Sequence, residues 1–150
     1  MKTVLFLIMI LTIKPSFGGG DFMQPVSVIQ SAPVMTTETS TNFYKNTNIN
    51  SEPAMVSSGK TELRGYYFYN NATAGNERYV KFFNLATAPT VGVTEADLTI
   101  PIGGRAYASY IFPRQVVFSE GLWIVATTGS GDTSTGSPTN GQVLGNIFYK

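Results

Sequence analysis

From about residue 60 onward, apolar side chains recur at every second position in short runs, and the runs are separated by Gly, Asn, Pro and Asp. That alternation marks strands with one face in a core, and it predicts strands over Leu63–Tyr69, Arg78–Leu85, Leu98–Ile102, Ala106–Phe112, Val116–Phe118, Gly121–Thr127 and Gln142–Tyr149. Val80 and Phe82 point to one side, and Tyr79, Lys81 and Phe83 to the other. Pro101 cannot donate to a ladder, so its strand belongs at a sheet edge or ends there. Leu122-Trp123-Ile124-Val125 reads as the most buried strand, with Trp123 in the core. No sustained helical period and no internal repeat occur. The pattern predicts an all-β protein, an antiparallel β-sandwich of about seven strands with a jelly-roll or Ig-like topology.

The stretch before this block has a different texture. Residues 19–59 are dominated by Ser, Thr and Asn, as in Thr36-Thr37-Glu38-Thr39-Ser40-Thr41-Asn42, and offer little with which to fill a core. They read as a polar N-terminal arm, and residues 60–150 as the β domain. Two islands interrupt the arm: Pro25-Val26-Ser27-Val28-Ile29-Gln30 and Phe43-Tyr44. Val26, Val28 and Ile29 are the arm residues best suited to add a strand to the open edge of another subunit, where main-chain hydrogen bonds supply the affinity.

The first 18 residues have the outline of a secretory signal. Met1-Lys2 precedes the apolar run from Thr3 to Ile13, and the small residues Ser16 and Gly18 suit a cleavage site. The run falls short of the roughly 20 residues that a membrane span needs, so no stable span is expected after cleavage. Cleavage after Gly18 would remove Lys2 and Lys14 and leave eight basic against nine acidic side chains.

Composition narrows the chemistry. Of the 150 residues, 13% are charged and 13% aromatic, and there is neither His nor Cys. That excludes disulfides, thiol nucleophiles, His/Cys zinc sites and imidazole-dependent triads. A formal charge of +1 gives no electrostatic case for nucleic acid. Acid–base work would fall to carboxylates such as Glu62, Glu77, Glu95, Asp97, Glu120 and Asp132, all in or next to predicted turns, where solvated charge is the ordinary role. Glu95 and Asp97 would share a strand face, and Asp132 lies among hydroxyls, but neither setting has the spacing of a calcium loop. No catalytic residue, metal ligand or cofactor is expected.

The run Tyr66-Tyr67-Phe68-Tyr69 puts Tyr66 and Phe68 on one face and Tyr67 and Tyr69 on the other. One pair belongs to the core. The other, taken as Tyr67 and Tyr69, is free to pack under a neighbouring subunit or against a sugar, since such rings suit both. The polar segment Thr128–Gly141 forms a long loop on the rim.

Several stretches of the β block together carry a family likeness. They are Arg64-Gly65-Tyr66-Tyr67-Phe68-Tyr69-Asn70-Asn71, Arg78 to Leu85 with the following Ala86-Thr87-Ala88-Pro89-Thr90-Val91-Gly92, Leu98-Thr99-Ile100-Pro101-Ile102, Phe118-Ser119-Glu120-Gly121-Leu122-Trp123-Ile124 and Ile147-Phe148-Tyr149. The block resembles a group of small virion-associated structural proteins of tailed bacteriophages and prophages. That group tends to hold two aspartates in the loop after its Trp-containing strand, where this chain has Asp132 alone. The resemblance implies a non-enzymatic decoration protein on a virion surface, with other copies of itself and virion proteins as partners. An export leader fits poorly with virion assembly in the cytoplasm. The alternative expectation is therefore an exported β-sandwich module that binds surface glycans.

Overall fold

A computed structural model describes residues 41–150. The leader and the docking residues Val26, Val28 and Ile29 lie outside the described residues. Eight strands follow: β1 (Asn42–Asn46), β2 (Ala54–Ser58), β3 (Thr61–Asn70), β4 (Arg78–Asn84), β5 (Leu98–Ile102), β6 (Ala106–Phe118), β7 (Gly121–Thr127) and β8 (Val143–Tyr149). Among the described residues there is no helix.

The strands form two four-stranded antiparallel sheets. Sheet I has the order β1-β8-β3-β6 and sheet II the order β2-β7-β4-β5. Pairing is nested: β1 with β8, β2 with β7, β3 with β6 and β4 with β5. A long ribbon that pairs first with last and folds over itself in this way is a jelly roll, one of the two topologies that the alternation allowed. Every connection except β4–β5 passes from one sheet to the other. The two sheets therefore close over one core.

That core follows from strand parity. Leu63, Tyr66 and Phe68 of β3, Phe118 of β6 and Ile147 of β8 face Val80 and Phe82 of β4, Ile100 and Ile102 of β5, and Leu122, Ile124 and Ala126 of β7. Phe82 bridges the layers, with its ring 5.9 Å from that of Phe68, 6.3 Å from Tyr66 and 6.4 Å from Phe118. Each buried ring of this size contributes about 1.5–3 kcal/mol relative to exposure. Gly145 of β8 makes room for Phe68: a Cβ there would stand 2.2 Å from the Phe68 ring and 2.7 Å from the Tyr67 carbonyl oxygen. Asn70, fully buried at the end of β3, donates through Nδ2 to the Asn76 and Ile102 carbonyls and accepts from the Ala72 amide. This local turn chemistry fastens the β3–β4 connection to the end of β5.

The structure departs from the sequence reading in three places. Strands β1 and β2 lie within the stretch read as arm, so the sandwich starts at Asn42 rather than at residue 60. Both are short and lie at sheet edges, yet they and the connection between them add Tyr44, Ile49 and Val56 to the core or its margin. The predicted strands Ala106–Phe112 and Val116–Phe118 are one strand, β6, interrupted by a bulge. Gly65 is opposite Ile111, but Leu63 is opposite Val116, so Phe112-Pro113-Arg114-Gln115 lies opposite the single residue Arg64 of β3. Trp123 lies outside the central core, because Leu122 and Ile124 on either side of it point inward. The placement of Pro101 at an edge is as read: β5 ends sheet II.

Candidate functional site

The two outer faces of the sandwich differ sharply. On sheet II the outward side chains of β4 and β7 are mostly covered, Tyr79 being the exception. Lys81, Phe83, Val125 and Thr127 are buried although they point away from the core. Two loops, residues 85–97 and 128–142, form the roof. The Trp123 indole N–H donates to the Leu85 carbonyl at 3.0 Å, which leaves the ring half-buried beneath the first loop. Lys81 Nζ donates to the Gly131 carbonyl of the second. The loops are tied to each other by the Ala96 amide, which donates to Asp132 Oδ1 at 3.2 Å. They touch so closely at Gly92 that a Cβ there would be 2.4 Å from Thr135 Cγ2. The small residues of 128–142 are thus a cover.

Sheet I has no such roof among the described residues. Its register sets most of the outward side chains in a grid of three rows, beyond which Glu62, paired with Arg64, and Val117 also face outward. Phe43, Phe148, Gly65 and Ile111 form the first. Lys45, Asn146, Tyr67 and Ser109 form the second. Leu144, Tyr69 and Tyr107 form the third. Phe43 and Phe148 meet at 5.7 Å, and Tyr67 stacks on Tyr107 at 6.1 Å with the rings 17° apart. Tyr107 and Ile111 are each 69% exposed, Phe43 56% and Tyr67 38%. Lys45 is the single charged residue in the grid. A contiguous apolar surface of this kind, with hydroxyls and one amide within it, is what contact sites present.

Alternation correctly set Tyr66 and Phe68 apart from Tyr67 and Tyr69, and the structure shows which pair is internal. Tyr66 and Phe68 stack inside at 5.2 Å, and Tyr67 and Tyr69 face outward. Burial, with a smaller effect from nearby Tyr110, raises the Tyr66 phenol above its ordinary pKa. Alternation puts Tyr107 and Ile111 on one face of their predicted strand, but nothing in the sequence marks that face as the outer one. Phe43 belongs to an island that read as arm.

Among the described residues the acidic side chains do not converge. Glu62 pairs with Arg64 at 2.9 Å, and Glu77 accepts from the Tyr79 hydroxyl, a bond that raises the Tyr79 pKa. Asp97 Oδ2 accepts from the Asn84 amide at 2.7 Å, and Asp132 holds the roof. Among the described residues no three acidic side chains are close enough to share a metal ion. A shallow depression of about 700 Å³ opens between Gly75–Arg78, Gly103, Gly104 and Thr128. Its one guanidinium, that of Arg78, is already engaged by Gln142 Oε1 and the Glu77 carbonyl.

No protein family, curated protein or solved structure matches this chain.

Proposed function

We propose that this protein is a non-enzymatic structural component that acts through the open aromatic face of sheet I. The observation that carries the reading is the asymmetry of the sandwich. One outer face is sealed by tied loops over a buried lysine, while the other leaves Phe43, Tyr67, Tyr107 and Ile111 exposed, with Lys45 the one charge among them and the Glu62–Arg64 pair at the end of the face. Exposing such rings to water is unfavourable, and covering them with a partner recovers the cost. The virion surface as the setting comes from the sequence resemblance alone. Jelly rolls build capsid domains and lectins alike, so the topology is compatible with both of the expected classes and selects neither.

The test is compositional. Particles released by cells that carry this gene, purified by density gradient, are expected to contain the chain in many copies, and substitution of Tyr67 and Phe43 by Lys is expected to remove it from them. Particles without the chain, or with undiminished amounts of the double variant, would contradict the proposal.

A second reading has one observation in its favour. Tyr67 and Tyr107 present nearly parallel, exposed rings, a geometry on which sugar rings stack. Glycan-array binding that is lost on Tyr67→Ala or Tyr69→Ala would transfer the function to an exported glycan-binding module. Absence of binding to any glycan would remove that reading.

A further inference from the structure

Four strand edges terminate the two sheets, and three of them are protected. The β1 edge is five residues long and carries Lys45. The β2 edge is equally short and bulged between Met55 and Ser57. The β5 edge contains Pro101. Short length, charge, bulges and proline are the usual means by which proteins prevent edge-to-edge association. The fourth edge, β6, is 13 residues long. Its second half is protected in the same way by the bulge over Phe112–Gln115, which holds Pro113 and Arg114. Its first half, Ala106-Tyr107-Ala108-Ser109-Tyr110-Ile111, has no charge, no proline and no bulge. Among the described residues, no main-chain group outside the sheet bonds to residues 107–117.

We infer that this segment pairs antiparallel with the same segment of a second copy, about a two-fold axis at Ser109, and joins two sheets I into one eight-stranded sheet. The inference rests on the contact reading above and names the partner and the register. Pairing about Ser109 sets Tyr107 opposite the partner's Ile111 and Ser109 opposite the partner's Ser109, both on the outer face. On the inner side it sets Ala108 opposite the partner's Tyr110. Every large side chain then meets a large apolar or a small one, and no like charges oppose each other. Tyr110 is half-exposed now and packs edge-on against Phe112 at 5.0 Å, so the small Ala108 opposite leaves it space. Other centres fit less well. An axis at Ala108 sets Ile111 against the partner's Arg105 in the turn, and an axis at Tyr110 sets Tyr107 against the partner's Pro113 in the bulge. Pairing about Ser109 also makes the exposed grid of sheet I continuous across two copies, which doubles the surface offered to the next partner.

The full chain contains no cysteine, so a single introduced thiol reports the axis without background. Residues directly opposite in an antiparallel ladder have Cα atoms about 4.5–5.5 Å apart, inside the range that a disulfide spans. Under mild oxidation the full-length Ser109→Cys variant is expected to run as a covalent dimer. A Val93→Cys control, on the exposed loop that covers the opposite sheet, is expected to form no covalent dimer. The dimer is expected to form equally well when Phe43→Lys and Tyr67→Lys disable the open face, which separates edge pairing from face contact. Added to that face-disabled chain, Ser109→Lys, which sets two ammonium groups opposite each other, is expected to abolish the dimer with unchanged circular dichroism. A Ser109→Cys chain that cross-links no better than the Val93→Cys control, or a face-disabled Ser109→Lys chain that stays dimeric, would overturn the inference. Cross-linking that disappears in the face variant would overturn it as well and leave the face reading intact.

Discussion

Lys81 and Gly131 are joined across the outer face of sheet II: the lysine, only 2% exposed, donates its ammonium hydrogen to the Gly131 carbonyl. Among the described residues no carboxylate lies within ion-pair distance of this buried cation, and its stem packing and this hydrogen bond hold it in place. Lys81→Met retains the stem but leaves the carbonyl without its donor, and a loss of about 1–2 kcal/mol is expected. Lys81→Ala adds a cavity beneath the roof, and the loss rises to about 2–4 kcal/mol. Urea unfolding of the two variants checks the order.

The Gly145–Phe68 contact gives a second test. Gly145→Ala forces a methyl group into the Phe68 ring and the Tyr67 carbonyl, neither of which can retreat within the sheet. Destabilisation of about 1–3 kcal/mol is expected by thermal unfolding, as for other overpacked sites. Gly141→Ala meets no atom within 4 Å but has a φ of 74°, so its cost is that of the left-handed backbone alone.

Stability should respond to high pH through Tyr66. Burial raises its folded-state pKa above the ordinary value near 10, so the folded protein holds the phenolic proton more tightly than the unfolded chain does. The contribution is fully present below the unfolded pKa and is lost as pH rises through the folded one. Unfolding free energy measured from neutrality upward is expected to stay level on this account until about pH 10 and then fall. Tyr66→Phe should reduce that fall.

The lower boundary of the sandwich leads to a truncation experiment. Removal of residues 1–40 takes away none of the eight strands and should leave a cooperative thermal transition. Removal through Gly59 takes β1 and β2 and with them Ile49 and Val56 from the core, so the transition should be lost.

How far the alternation pattern reached depends on where each strand lies. From Leu63 on, period-two runs and turn residues identified the strands of the sheet interiors, because those strands bury one face against the other sheet. Pro101 indicated its own edge position. Strands β1 and β2 were not legible, since they are short, sit within a Ser/Thr/Asn-rich stretch and are stabilised by partners far along the chain, β8 and β7. Pro113 and Arg114 read as a strand end because a bulge and a break have the same local composition. The small residues of 128–142 signalled a loop, but nothing local announces that it covers Lys81. The open aromatic face was half-visible. Tyr67 and Tyr69 were identified by parity, whereas Phe43, Tyr107 and Ile111 joined them only through the register of four strands.

The central claim is that the open face of sheet I is a contact surface, and sedimentation velocity of the full chain against the Phe43→Lys/Tyr67→Lys variant tests it most directly. The account predicts that the native chain forms species larger than a dimer, and that the variant, with an unchanged far-ultraviolet spectrum, sediments as a dimer or smaller. Identical sedimentation of the two proteins would contradict it.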